Sequence, residues 1–144
     1  MRFLNTTPLY LFFFDDNIKY TRCHPEQHGE QMKHVHYSEV DLEHPQEAGV
    51  KNIKVRWLIS KKDGAQNFAM RLFEIKPGGN SPLHQHEWEH EVFILEGGGF
   101  VKDQTAEQPL QPGDALFIKP MEWHQIINRG STTLKFLCLI PYQK

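Results

Sequence analysis

At 144 residues the chain has the length of one domain, enough to bury a core without cross-links. Sixteen Lys and Arg against 18 Asp and Glu leave a formal charge of −2, and the basic residues are scattered, which excludes the basic footprint of a nucleic-acid binder. Two cysteines, Cys23 and Cys138, exclude a disulfide framework and point to a reduced, cytoplasmic protein, while nine histidines point towards metal chemistry.

The run Leu9–Phe14 is apolar but is followed at once by Asp15 and Asp16. It is too short to span a membrane and lacks the small-residue cleavage pattern of a signal peptide, so it reads as a strand or a docking extension. Residues 1–31, with Cys23, His24 and His28 in a polar stretch, have no clear period and form an N-terminal extension whose order depends on docking elsewhere. His34-Val35-His36 resembles a ligand pair, but no histidine or carboxylate follows at ligand spacing, so it is not assigned to a metal.

From about residue 50 short strands alternate with Gly and Pro breaks. Ile53–Ser60 and Asn67–Lys76 flank a Lys61–Ala65 turn, and Pro77-Gly78-Gly79-Asn80 breaks the chain before the histidines. Glu91–Glu96 ends at Gly97-Gly98-Gly99, a hairpin signal. Phe100–Gln104, Gln108–Gln111, Ala115–Lys119, His124–Asn128 and Thr133–Ile140 follow, with turns at Pro112–Asp114 and Asn128–Ser131. Short strands at regular spacing without a helical period predict an all-β sandwich or barrel.

Alternation sets Leu134, Phe136, Cys138 and Ile140 inward on the last strand, opposite Lys135, Leu137 and Leu139. Asn67–Lys76 is likewise apolar on both sides. Strands apolar on both faces imply a cover on the outside of the barrel, and we expect a homodimer that exchanges its N-terminal strand.

Within Pro82–Ile94, His84 and His86 share one face of an extended chain, and His90 lies close enough to join them on one metal ion. A lone histidine reads as a surface or hydrogen-bonded core residue; three within seven residues are a more specific signal. His90 and Glu91 are neighbours, so only one of them can point inward, and local pattern leaves both open. His124, just past the Pro120–Trp123 turn, can supply a further ligand, with Ile126 following it inward.

These residues resemble the motifs of the cupin superfamily. Gly78-x5-His84-x-His86-x4-Glu91-x6-Gly98 matches its first motif, and Gly113-Asp114 through Pro120, His124 and Asn128 match its second. Lys119 and Met121 stand where Pro and Gly are usual. The stretch His84-Gln85-His86-Glu87-Trp88-Glu89-His90-Glu91 is similar to small manganese-binding monocupins, whose His-x-His-Pro-Trp-Glu-His-Glu places Pro at the position of Glu87. The likeness continues through Asn67–Phe73 and Phe136–Pro141, covers about residues 32–142, and leaves residues 1–31 without a counterpart and Met32 as an alternative start.

The resemblance implies a cupin jelly-roll β-barrel of two antiparallel sheets over residues 32–144, and a four-histidine site of His84, His86, His90 and His124. It would hold one divalent ion per chain, Mn or Fe first, with Zn, Ni or Cu as alternatives. Neutral imidazoles leave the ion's charge uncompensated, and six-coordinate metals keep positions for water, an anion or dioxygen. Arg71 shares the inward parity of Ala69 and Phe73, so it reads either as a clamp for a substrate anion or as a structural partner of a buried Glu or backbone carbonyl.

Phe73, Val92, Phe117 and Ile126 are expected in the pocket wall, with Phe136, Cys138 and Ile140, and Trp88 and Trp123 at its mouth. Such a wall suits a small aromatic or aliphatic substrate. No general base other than an inward Glu91 is evident, which favours a dioxygenase-type oxidoreductase. A non-redox isomerase or lyase using the ion as Lewis acid, or a non-catalytic binding protein, are the alternatives. No DNA-binding helix pair precedes the barrel.

Overall fold

A computed structural model describes residues 32–143, and the expectations for residues 1–31, strand exchange and Cys23 included, lie outside the described residues. The described elements are two short 3-10 turns (Tyr37–Glu39 and Lys61–Asp63) and eight strands: β1 (Lys51–Ile59), β2 (Phe68–Asn80), β3 (His90–Glu96), β4 (Gly99–Lys102), β5 (Glu107–Leu110), β6 (Ala115–Ile118), β7 (Gln125–Ile127) and β8 (Leu134–Pro141). All pair antiparallel, and hydrogen bonding runs through them as one curled sheet in the order β5-β4-β7-β2-β8-β3-β6, with β1 on β2. The fold is the jelly-roll half-barrel that the resemblance implied, one form of the all-β sandwich or barrel that the strand spacing predicted.

The expected two sheets are joined through β2, and the reason lies in its glycines. Pro77-Gly78-Gly79-Asn80 does not end the strand as predicted; β2 runs through it. Along Phe68–Ile75 it pairs with β8, and after the bend Asn80 pairs with Ile127 of β7. Gly78 takes φ 72°, and a Cβ on Gly79 would sit 2.7 Å from the Lys51 carbonyl oxygen, so only glycine turns this corner without displacing β1.

Gly97–Gly99 is a second corner rather than the predicted hairpin. β3 bonds to β8 and β6, whereas β4 bonds to β5 and β7, so the three glycines carry the chain from one half of the sheet to the other. A Cβ on Gly99 would lie 2.5 Å from the Ile127 carbonyl oxygen, and one on Gly97 2.3 Å from that of Thr133. A hairpin and a corner ask for the same residue, which is why the sequence misleads here.

Ile75, Ile94, Leu134, Val92, Phe136 and Ile126 fill the space between the halves. Each fully buried aliphatic side chain contributes roughly 1.5–3 kcal/mol relative to exposure. The outer face is partly covered by the segment before β1: the Arg56 guanidinium donates to the Val40 carbonyl, and the Lys135 ammonium lies 5.8 Å from the Tyr37 ring centroid. Leu72 is buried on that side, whereas Phe68, Phe93 and Phe117 stay exposed. Among the described residues no helix is long and apolar enough to cross a membrane.

Candidate functional site

The two motif segments meet at one mouth of the barrel. His84 and His124 form an isolated antiparallel bridge, each amide donating to the other's carbonyl oxygen, at 3.1 and 2.9 Å. This double bond locks together two rings forty residues apart in sequence. The Met121 amide donates to the His86 carbonyl at 2.7 Å, so the loop before His124 also holds the loop that carries His86. Met121 pays for that turn with φ 62°, in the region where a side chain crowds its own backbone, and it occupies the position where Gly is usual.

Alternation across the irregular loop persists: His84, His86 and Trp88 are half-buried, while Leu83, Gln85 and Glu87 are exposed. At the start of β3 the open choice between neighbours resolves in favour of His90. It lines the cavity with Val92, while Glu91 is exposed on the outer face beside Leu139 and Phe117. Burial, reinforced by Glu89, raises the Glu91 carboxyl, but that group does not face the site.

Ring nitrogens of His84, His86 and His124 lie within 4.8 Å of one another, close enough to share an ion. His90 stands beside them, its ring centroid 4.5 Å from that of His86 and 5.1 Å from that of His124. His86 is sandwiched, stacking on Trp88 at 4.1 Å on its other side. The outer nitrogens are occupied. His86 Nδ1 donates to the Trp88 carbonyl at 2.7 Å, and His124 Nδ1 to the Glu122 carbonyl at 2.8 Å. The inner nitrogens are not: Nε2 of His86, His90 and His124 are buried without a hydrogen-bond partner.

All four rings are held neutral. Burial, then His124, His86 and Arg71, lowers His84 to about 4, and burial followed by Arg71 lowers His90 to about 2. Burial also lowers His86 and His124. Neutral imidazoles with free lone pairs are the form in which histidine binds metal, so the residues present fit a divalent cation. His34 and His36 take no part; both are exposed, and His36 Nδ1 caps the short turn Tyr37–Glu39.

Below the histidines lies a cavity of about 260 Å³. Phe73, Val92, Ile126, Phe136 and Cys138 line it as expected, with His84, His90 and His124 at one end. Phe117 does not: it is 54 % exposed, because it pairs with Glu91 and shares that residue's outward parity. Ile140 packs against the core beside Ala69 instead of lining the cavity. Trp88 and Trp123 do not line it; the tryptophan that does is Trp57.

Arg71 reaches into the cavity. Its guanidinium lies 5.3 Å from the Trp57 ring centroid and 5.0 Å from that of Phe73, and it donates to Cys138 Sγ at 3.0 Å. Its Nε is buried without a partner, and no carboxylate pairs with it among the described residues.

Sequence reasoning missed the strap before β1. Glu43, His44, Pro45, Glu47 and Val50 also line the cavity. The strap is tied at both ends: Glu43 and Val55 exchange backbone hydrogen bonds, and Asn80 Nδ2 donates to the Gly49 carbonyl at 2.6 Å. The Trp57 indole donates to the Glu43 carboxylate at 3.2 Å. This stretch has no strand or helix period, and its only sequence signal is a cluster of polar residues before the first strand.

Residues 71–140 match the cupin-domain family model. The chain is 36% identical over 96 residues to the oxalate-binding protein of Thermotoga maritima, covering 64% of this chain and 78% of that one. It is 37% identical over 75 residues to the 1-methylthio-D-xylulose 5-phosphate methylsulfurylase of Rhodospirillum rubrum, covering 52% of this chain and 48% of that one. Among solved structures, the polyketide cyclase RemF from Streptomyces resistomycificus superposes with a TM-score of 0.75 and 37% identity, over 78% of this chain and 81% of that one. Strand order, motif residues and relatives agree, and the chain belongs to the cupin family.

Proposed function

We propose that this chain is a metal-dependent cupin enzyme acting on a small organic anion, with His84, His86, His90 and His124 holding one divalent ion. The observation that carries this reading is the set of buried, unpartnered Nε2 atoms on three touching rings. Leaving one such group unsatisfied costs about 1–3 kcal/mol, and a shared cation gives all of them a partner. Imidazole suits several metals; manganese or iron is the proposed occupant because a preference for more than four ligands keeps the site open to substrate. When bound, the ion supplies Lewis-acid polarisation of a substrate oxygen or, if redox-active, activation of dioxygen.

The chain's own residues define the rest. Arg71, with no carboxylate partner among the described residues, orients a carboxylate or enolate, and Trp57, Phe73 and Phe136 offer apolar faces for the body of the substrate. Glu43, His44 and Glu47, exposed on the strap that lines the cavity, are the proposed proton-transfer groups. With them in place the argument from a missing general base lapses. The reading supported best is metal-assisted proton-transfer chemistry of the isomerase, lyase or cyclase class, in keeping with the likeness to a polyketide cyclase.

A dioxygenase-type oxidoreductase is the second reading, favoured by the apolar cavity wall of Val92, Ile126 and Phe136. Incubating metal-loaded protein with aromatic and aliphatic carboxylic acids separates the two. Product formed without oxygen supports proton-transfer chemistry; oxygen uptake coupled to product supports the oxygenase; tight binding with neither, as the name of the oxalate-binding relative suggests, overturns both.

We also propose a cytoplasmic homodimer. Phe93 and Phe117, 46 % and 54 % exposed, flank Leu137 and Leu139 on the outer face and give a second copy an apolar surface to cover. A monomer in size-exclusion chromatography with light scattering would overturn this.

A further inference from the structure

His90 differs from the other inward rings in what holds its outer nitrogen. His86 and His124 each use a backbone carbonyl, of Trp88 and Glu122, which no substitution removes. His90 Nδ1 instead faces a side chain, the sulfur of Cys138, at 3.4 Å. Cys138 is 2 % exposed and lies in register between Arg71 on β2 and Val92 on β3, so its side chain is fixed by both neighbouring strands.

The donor inventory around that sulfur leaves two tautomers of His90, which differ in what they place at Nε2. A guanidinium only donates, so the 3.0 Å contact from Arg71 Nη2 uses the sulfur as acceptor. The thiol hydrogen has the Leu139 carbonyl oxygen at 3.9 Å to donate to. A neutral imidazole carries one N–H. If that hydrogen sits on His90 Nε2, it is buried with no acceptor, since Nε2 has no partner. If it sits on Nδ1, it donates to the sulfur and leaves the Nε2 lone pair facing the other rings. A ligating histidine is commonly set in this way, by the hydrogen bond on its second nitrogen.

We infer that Cys138 is a positioning residue: its sulfur holds His90 as the Nδ1–H tautomer and Arg71 in the cavity at the same time, coupling a metal-binding nitrogen to the anion clamp. The inference rests in part on the proposed ligation by His90, and the tautomer itself is readable in the metal-free protein. Cys138 is not a nucleophile in this account. Burial raises its thiol, and no step uses it.

The test compares Cys138→Ser, which keeps an acceptor, with Cys138→Val, which keeps the bulk and removes it; Cys138→Ala replaces the valine variant should that fail to fold. In metal-free protein labelled with 15N-histidine, two-bond proton–nitrogen spectra report the tautomer of each ring. We expect Nδ1–H on His90 in the wild type and the serine variant, and a shift towards Nε2–H in the valine variant, with His86 and His124 unchanged. Zn²⁺ affinity by chelator competition should fall about 10- to 100-fold in the valine variant and recover in serine. An unchanged His90 tautomer in the valine variant overturns the inference, whatever its metal affinity. Wild-type protein with the expected tautomers but no Zn²⁺ binding overturns the metal-site reading and leaves the positioning role standing.

Discussion

Two buried polar residues of the second motif, four positions apart on the same inward face, meet opposite fates. Asn128 is 0 % exposed and fully satisfied: Nδ2 donates to the Ile75 and Thr132 carbonyls at 2.7 and 2.8 Å, and Oδ1 accepts from the Gly130 amide at 2.9 Å. His124 is 4 % exposed, and its Nε2 has no partner. The closed end of the barrel spends its polar groups on its own loops. The open end leaves them pointing at a shared point. Since protein interiors pair nearly all buried polar atoms, the contrast separates a structural end from the proposed ligand-binding end on either side of β7.

The sharpest way to break that contrast is to delete both residues in turn. Asn128→Ala strands two carbonyls and an amide and should cost about 3 kcal/mol or more in urea denaturation of the metal-free protein. His124→Ala removes the unpartnered Nε2 and a single hydrogen bond, from Nδ1 to the Glu122 carbonyl, and should cost less, about 1–2 kcal/mol in the same assay. Equal losses would erase the distinction.

Acid sharpens it next. His84 sits near 4 in the folded protein against 6.5 when free, so below pH 6.5 the unfolded chain gains a proton that the folded chain refuses. Stability of the metal-free protein should therefore be constant above about pH 6.5 and fall as pH drops towards 4. His84→Ala should reduce that slope in chemical denaturation at stepped pH, with His86, His90 and His124 carrying the remainder, whereas a slope unaffected by the substitution would assign all of it to them.

The smallest effect concerns the turn that joins the two motif loops. Met121 holds φ 62° with its side chain largely exposed, so Met121→Gly relieves crowding at little packing loss. After the entropy cost of glycine the net gain should be up to about 1 kcal/mol, seen as a rise of a few degrees in Tm. A fall in Tm would mean that the side chain does more than its exposure indicates.

Much of this molecule was legible in its residues. Period-two alternation gave the inward faces of β7 and β8, and the histidine spacing brought the rings to one mouth. Where reading failed, the missing information was tertiary. The choice of His90 over Glu91 is made by pairing with Ile118 and Phe117 across β6, which local pattern does not contain. Phe117, expected in the pocket wall, is sent outward by its pairing with Glu91, a register that its own strand does not reveal. The strap Glu43–Val50 has no period because its conformation is set by bonds to Val55 and Asn80, residues outside itself.

The central claim is that the unpartnered nitrogens at the open end hold a metal. Elemental analysis of protein purified without added metal, run on the wild type beside His86→Ala, His124→Ala and His34→Ala, tests it most directly. The account predicts about one ion per chain in the wild type and His34→Ala, and loss of most of it in the other two. Equal metal content in all four proteins, or none in any of them after loading with Mn²⁺, Fe²⁺ or Zn²⁺, would contradict it.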